Sequence, residues 1–394
     1  MNSMKNDIHI IQLVYSFEIE GGGGGVTRSA LDIAEYIKDS CKVSVISLGD
    51  FGTSFEHQRV AELKDHGIEV FAATKWNEQT PYISFMNSIQ TITKYISKIK
   101  SRPIIHSHSE FTDIVALYIK TKWRATPIIR TCHYGYIYEW KNKPVRRIIF
   151  TNLLYPIYFN YEIGVNSSIT NRLNNRLFTK LLNKKAILIG EGINLDRFQA
   201  PKPDITKIKK LLNLPNNAII IGSVGRLVEQ KGHKFLLLAA QEVINNYPNT
   251  HFVIVGDGPL RKDLERLSEE LGINQNISFL GSRSDVKELL LCFDIFVLPS
   301  LWEGLPISLL ESMASKIPIV TTSIPGCSDV IEDGINGMLS PPMDASTLGQ
   351  KIIQMIESES LRHTLADNAY HTVQGYEISI IAKKYYSLYL SLIK

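Results

Sequence analysis

The sequence predicts an α/β protein made of two Rossmann-like, doubly wound parallel-sheet domains facing an interdomain cleft. Three observations carry this expectation. At 394 residues the chain is long for one ordinary core and suited to two. Short β-branched runs alternate with longer stretches of 3.6-residue periodicity, the pattern that builds parallel sheets through crossover helices. A polar, proline-bearing stretch at 192–204 interrupts the alternation, which then restarts.

In the first half, 8–15, 42–47, 68–72, 103–106, 127–132 and 162–165 read as strands, with helical periodicity at 26–38, 84–98, 111–120 and 145–160. In the second, 218–224, 251–255, 277–280, 294–299 and 318–321 read as strands, with helices near 232–246, 259–270, 285–291 and 306–315. No strand is read beyond Ala345. The expected domains are 1–190 and 191–375, with a last helix at 376–394 packing back toward the first. Ligands of such sheets bind outside the carboxyl ends of the strands, so motifs at those ends carry the most weight.

Hydrophobic residues make up 44% of the chain and charged residues 21%, a globular composition. The net charge of +4 hides a split. Residues 1–190 carry 24 basic and 16 acidic side chains, and residues 191–394 carry 19 and 23. The first half is therefore suited to an anionic partner and the second is not. Cys41, Cys132, Cys292 and Cys327 are far apart, so neither a zinc ribbon nor a disulfide framework is expected. The first residues lack a signal-peptide pattern, and the apolar run 148–159 is too short to cross a bilayer. The expectation is a cytoplasmic protein, peripheral at most on the inner face of the plasma membrane.

Five motifs lie at predicted strand ends. Gly21–Gly25 follows the first strand and opens a helix, where backbone N–H groups can approach a phosphate or sugar. Gly225-Arg226, with Lys231-Gly232, follows the strand ending at Val224. Two cations there suit a pyrophosphate whose charge must be neutralised as it leaves. Val255-Gly256-Asp257-Gly258-Pro259-Leu260-Arg261 is half a dinucleotide fingerprint with Arg261 at the third glycine position, and a tight turn explains it without a ligand. Glu303 and Glu311 stand eight residues apart around a helix start. One carboxylate can bind sugar hydroxyls and the other a ribose diol, while the Gly304 and Leu305 amides face phosphate. His133 follows a strand end, as do His106 and His108. No D-x-D pair occurs, which leaves a carboxylate-held divalent metal without obvious ligands.

A basic-aromatic segment completes the inventory: Lys120, Lys122, Arg124, Arg130, Lys141, Lys143, Arg146 and Arg147, interleaved with Trp123, Tyr134, Tyr136, Tyr138 and Trp140. It reads either as an ordinary solvated face or as a surface for anionic membrane or lipid pyrophosphate. No nucleic-acid-binding motif accompanies it.

Taken together, these residues resemble the retaining glycosyltransferases of family 4, whose fold is termed GT-B. The likeness runs in order along nearly the whole chain. It includes Gly24-Gly25-Val26, Ile105-His106-Ser107-His108, Thr131-Cys132-His133, Gly225-Arg226, Lys231-Gly232, 255–260, Phe279-Leu280-Gly281 and the E-x7-E of Glu303 and Glu311. Downstream it continues through Gly326, Gly334, Asn336-Gly337 and Pro341-Pro342. It departs at Gly190-Glu191-Gly192-Ile193-Asn194, where the family usually has Asn-Gly-Ile/Val-Asp. It departs again at Met343, where glycine is common, at Asp329, where Glu is common, and in the length of the glycine run.

The resemblance implies that Arg226 and Lys231 bind the donor diphosphate in place of a metal. Glu303 would hold the transferred sugar, Glu311 the ribose, and His133 would sit beside sugar and acceptor. The loop of Gly281, Ser282 and Arg283 would hold the base, and Gly24, Gly25, Gly225, Gly304 and Leu305 would line the donor site. His106, His108 and Tyr134 are the acceptor-side candidates. No cofactor and no metal are expected. The implied reaction moves a sugar, with a UDP-sugar as the prior, onto a lipid-linked or other glycan acceptor in surface polysaccharide or glycolipid synthesis. Configuration would be retained, and an anionic membrane is a candidate partner. Two competing readings are a nucleotide-sugar 2-epimerase-type isomerase and an inactive sugar-nucleotide-binding protein.

Overall fold

The computed structural model describes residues 8–17, 25–134, 144–198, 205–212, 214–215 and 217–393. The chain divides into two compact units. The first runs through Gly192 and takes back the C-terminal segment from Ile378, and the second spans Ile193–Glu377.

The first unit holds a seven-stranded sheet: β1 (His9–Val14), β2 (Lys42–Ser47), β3 (Glu69–Ala72), β4 (Ile104–Ser107), β5 (Ile128–Cys132), β6 (Tyr161–Gly164) and β7 (Ile187–Leu188). Their order is β3-β2-β1-β4-β5-β6-β7, and every neighbouring pair is parallel. Every residue of β1 is buried, as expected of a central strand covered on both faces. Register pairs Gln12 on β1 with His106 on β4, which places two buried polar side chains side by side in the sheet.

On one face, the helix Gly25–Ile37 packs with the last helix, Ile378–Ser391. Ala30, Leu31, Ala34 and Ile37 meet Ile378, Ile381, Ala382, Tyr385 and Tyr389 in one buried cluster. The spacing 378, 381/382, 385, 388/389 is a single helical stripe.

The second unit holds β8 (Ile219–Val224), β9 (Thr250–Val255), β10 (Ile277–Gly281), β11 (Ile295–Leu298), β12 (Ile319–Thr322) and β13 (Met338–Ser340). The order is β10-β9-β8-β11-β12-β13, again wholly parallel. In both sheets, therefore, all strands end on one edge. Gly222 in β8 is a packing necessity, because a Cβ there would stand 2.0 Å from the Phe293 ring.

Several elements differ from the sequence expectation. The helix Ser54–Asp65 was not read from the pattern because it buries little beyond Leu63 and Glu56. Its start is nonetheless signalled by Thr53, whose side chain accepts from the Glu56 amide. The expected helix over 145–160 is instead a helical run with a π-helix at Ile148–Leu154, and Arg176 draws off the Thr151 carbonyl at 2.6 Å. The short edge strands β7 and β13 were also unread. Among the described residues, no helix is long and apolar enough to cross a membrane.

Candidate functional site

In the second unit, the carboxyl ends of β8 and β11 bring two of the predicted donor residues, Lys231 and Glu303, into contact. After β8 the chain turns through Gly225 and Arg226 into a 3-10 turn, Glu229–Lys231, and Gly232 then opens the helix His233–Asn246. Gly232 has φ +65°, and a Cβ on it would fall 2.1 Å from the Pro299 carbonyl. Only glycine allows this turn to lie so close to the loop after β11. A Cβ on Gly225 would press on the Lys231 stem at 3.2 Å, so the glycine gives that side chain its path.

Lys231 Nζ meets Glu303 Oε1 at 2.6 Å. Ser300 Oγ donates to the same oxygen at 2.7 Å, and Gln230 Nε2 donates to Oε2 at 3.2 Å. Glu303 is 6% exposed and Lys231 14%. Two residues expected to contact different parts of one ligand thus hold each other. Arg226 is exposed and makes no side-chain hydrogen bond or ion pair among the described residues. Glu311 is buried in the helix Ile307–Ala314, with Gly304 and Leu305 buried just before it.

Arg261 joins the loops at the ends of β9 and β10. It donates to Asp257, to Glu265 and to the Phe279 carbonyl. Gly281 (φ +70°) lies beside it, and Arg283 forms a bidentate pair with Asp285 at 2.6 and 2.7 Å. Ser282 is exposed. His233, unremarked in the sequence, is buried with an unpartnered Nδ1. Burial first, then the Lys231 charge, holds it down to about 3.

The first unit places His106, His108 and His133 in one buried chain at the carboxyl ends of β4 and β5. His106 Nδ1 meets Tyr389 Oη at 2.7 Å and its Nε2 meets Thr131 Oγ1 at 2.8 Å. Gln12 bridges Tyr389 (3.0 Å) and His108 Nε2 (2.6 Å). His108 Nδ1 lies 3.2 Å from His133 Nε2, and His133 Nδ1 lies 2.6 Å from Glu191 Oε1. Burial, followed by the neighbouring His133, pushes His106 down to about 3. Glu191, Gln12, Tyr385 and Tyr389 were not expected at this site. The sequence offers no local signal for them: Tyr385 and Tyr389 share the helical spacing of the apolar stripe on the last helix. Tyr134 is exposed. Gly25 begins its helix, whereas Gly24 lies outside the described residues.

The basic-aromatic segment needs correction. Arg130 is no surface cation: it is 1% exposed and bound to Asp113 at 2.8 Å and Glu162 at 3.2 Å, with its guanidinium 4.1 Å over Tyr155. Lys120 is spent on the Thr126 carbonyl. Lys141, Lys143, Tyr136, Tyr138 and Trp140 lie outside the described residues. All four cysteines are free and buried. Among the described residues, no three His, Cys, Asp or Glu side chains gather as metal ligands.

Two Rossmann-like parallel-sheet units, with the E-x7-E and a cation pair at the strand ends of the second, define a GT-B glycosyltransferase. Comparison with known proteins agrees. The model for glycosyl transferases group 1 matches residues 204–372, and that for glycosyltransferase family 4 matches residues 23–184. The chain belongs to this group 1, family 4 type of glycosyltransferase.

A UDP-Gal:alpha-D-GlcNAc-diphosphoundecaprenol alpha-1,3-galactosyltransferase of Escherichia coli is 26% identical over 84% of this chain and 85% of its own. An N,N'-diacetylbacillosaminyl-diphospho-undecaprenol alpha-1,3-N-acetylgalactosaminyltransferase of Campylobacter jejuni is 28% identical over 88% and 98%. Among solved structures, Anabaena HepE in complex with UDP-glucose superposes with a TM-score of 0.81 at 20% identity, over 97% of this chain and 99% of that one. Sucrose-phosphate synthase of Thermosynechococcus elongatus gives 0.82 at 18% identity, over 98% and 99%. These structural likenesses speak for the fold.

Proposed function

We propose that this glycosyltransferase moves a sugar from a nucleoside-diphosphate donor, a UDP-sugar, to a lipid-linked acceptor in surface polysaccharide or lipopolysaccharide synthesis, with retention of configuration and without a metal. The observation that carries the reading is the Lys231–Glu303 pair, with exposed Arg226 in the same connection after β8. A diphosphate entering there offers Lys231 a stronger anionic partner and meets Arg226 as well. Exchange of Lys231 from Glu303 to phosphate frees the Glu303 carboxylate to accept sugar hydroxyls, so donor binding itself prepares the sugar subsite.

The chemistry then needs one bond broken and one made. The bond from the anomeric carbon to the diphosphate oxygen breaks, stabilised by the two cations. The acceptor oxygen bonds to that carbon on the same face, and its proton passes to the leaving phosphate oxygen. Glu311 would bind the ribose, and Gly281, Ser282 and Arg283 the base, whose Arg283–Asp285 pair keeps the side chain fixed. His133 would sit beside sugar and acceptor in the first unit. Uridine is favoured by the donor named for the Escherichia coli relative, and a lipid diphosphate acceptor by the names of both relatives.

The first unit also offers a surface suited to such an acceptor. Val145, Ile148, Ile149, Leu177 and Leu181 are exposed on elements that pack together, with Arg146 and Lys180 among them. Apolar side chains with cations fit an anionic lipid surface.

The test is transfer of radiolabelled sugar from a panel of nucleotide sugars to lipid-linked acceptors, with NMR of the first-formed anomer. The reading expects a retained product and full activity in chelator. An inverted product overturns the mechanism, and donor epimerised without acceptor supports the isomerase instead. Co-sedimentation with anionic vesicles checks the membrane face: L177E/L181E should lose binding, and equal sedimentation of the variant overturns it.

A further inference from the structure

The histidine chain in the first unit has a direction, and the direction fixes what His133 can do. His108 is 2% exposed. Burial, then His106 and His133, holds it well below the ordinary histidine value, so its ring is neutral and carries one N–H. Its Nε2 faces the Gln12 carbonyl oxygen at 2.6 Å. A carbonyl only accepts, so the His108 hydrogen is on Nε2 and its Nδ1 is a bare acceptor. The group facing that Nδ1, at 3.2 Å, is His133 Nε2. It must therefore carry a hydrogen. The opposite nitrogen of the His133 ring, Nδ1, lies 2.6 Å from Glu191 Oε1, a length typical of a charge-assisted bond.

We propose that Glu191 is a positioning residue: its carboxylate accepts from His133 Nδ1–H, and the ring, which carries the Nε2 hydrogen required by the bare His108 Nδ1 as well, is thereby held with Nε2–H as a hydrogen-bond donor toward the ligand. The inference rests on the glycosyltransferase reading for its meaning, though not for its test. Both nitrogens of His133 are already engaged, so a ligand oxygen gains access only by displacing one partner. The His108 contact, at 3.2 Å against 2.6 Å, is the weaker. An oxygen that takes its place receives an N–H. His133 in this arrangement donates to a sugar or phosphate oxygen and does not remove the proton of an attacking hydroxyl.

The surrounding groups support the assignment. Tyr385 lies close enough to Glu191 for the carboxylate to raise its hydroxyl, secondary to burial, and Tyr385 in turn meets Thr131 at 3.3 Å. At its other end Gln12 Nε2 donates to Tyr389 Oη at 3.0 Å, so helix Ile378–Ser391 anchors the Gln12 side chain.

Two experiments test it. Long-range proton–nitrogen NMR of the full chain labelled at histidine, assigned with His108→Gln and His133→Gln, should show hydrogen on Nε2 of both rings and a bare Nδ1 on His108. A bare Nε2 on His133 overturns the proposal, whether or not the protein transfers sugar. In kinetics, Glu191→Gln keeps an oxygen that can accept from Nδ1–H but loses the charge, and it should melt within a few degrees of the wild type. Its kcat should fall about tenfold or more with donor KM nearly unchanged, and Glu191→Ala should fall further. Wild-type kcat in both variants overturns the positioning role. A wild-type chain that transfers no sugar to any acceptor refutes the enzymatic reading alone and leaves the NMR result to decide this one.

Discussion

Replacing Lys231 with alanine separates stability from chemistry in a measurable way. In the unliganded unit the change strips Glu303 of a partner at 2.6 Å while the carboxylate stays 6% exposed. Ser300 and Gln230 remain to hydrogen-bond it, so the cost should lie at the lower end for a broken buried pair, about 3 kcal/mol. Spread over a unit of this size, that lowers its melting temperature by ~6–12 °C.

The catalytic loss is separate. Removing one preorganised charge from a leaving diphosphate costs ~100- to 1,000-fold in kcat. The two effects are split by Lys231→Met combined with Glu303→Gln. That double variant leaves no uncompensated charge, so it should recover most of the melting temperature while remaining inactive. Calorimetry and initial-rate transfer assays on the wild type, both single variants and the double variant complete the cycle. Transfer by K231A within threefold of the wild type would refute the proposed role of this lysine. An additive cycle in melting temperature would refute the coupling between the two side chains.

Backbone conformation gives two opposite expectations. Gly232→Ala should lower the melting temperature and donor affinity together, because its Cβ meets a carbonyl at 2.1 Å, whereas Met343→Gly should raise the melting temperature slightly. Met343 is exposed at φ +64°, a left-handed conformation costing a larger residue about 1 kcal/mol, and thermal unfolding reads both. Arg130→Ala leaves Asp113 and Glu162 buried without their shared cation and should cost roughly 3–5 kcal/mol, measured by urea unfolding; a loss under 1 kcal/mol would show the network to be dispensable. Acid should destabilise the first unit through His106. The unfolded ring takes its proton near the ordinary 6.5 and the folded ring only near 3. Between those values the unfolded chain holds more protons, so stability falls as pH falls, by roughly 5 kcal/mol at the lower limit for this one site. His106→Gln should flatten the decline in melting temperature between pH 6.5 and 4, and parallel curves would refute the assignment.

What could be read from the sequence was what neighbouring residues decide among themselves. Apolar runs of four to six residues specified the central strands, and parallel order then put Val224, Leu298, Ser107 and Cys132 on the ligand-bearing edges. The second-unit site was legible for the same reason: its turn, its cations and its carboxylates lie in two short segments with fixed spacing. What escaped was pairing across the fold. Arg130 read as a surface cation because charge says nothing of burial, and its partners Asp113 and Glu162 stand 17 and 32 residues away. Tyr385 and Tyr389 carry the spacing of a packing stripe, and nothing local reveals that their hydroxyls end a polar chain begun at β4.

Glu191 shows the consequence most sharply. In sequence it is an acidic residue in a connecting segment. In the fold it lies 2.6 Å from His133, 58 residues earlier in the chain. Asparagine, one methylene shorter and uncharged, could not hold that ring from the same backbone position in the same way. A residue that reads as part of a linker therefore belongs to the electrostatics of the candidate site.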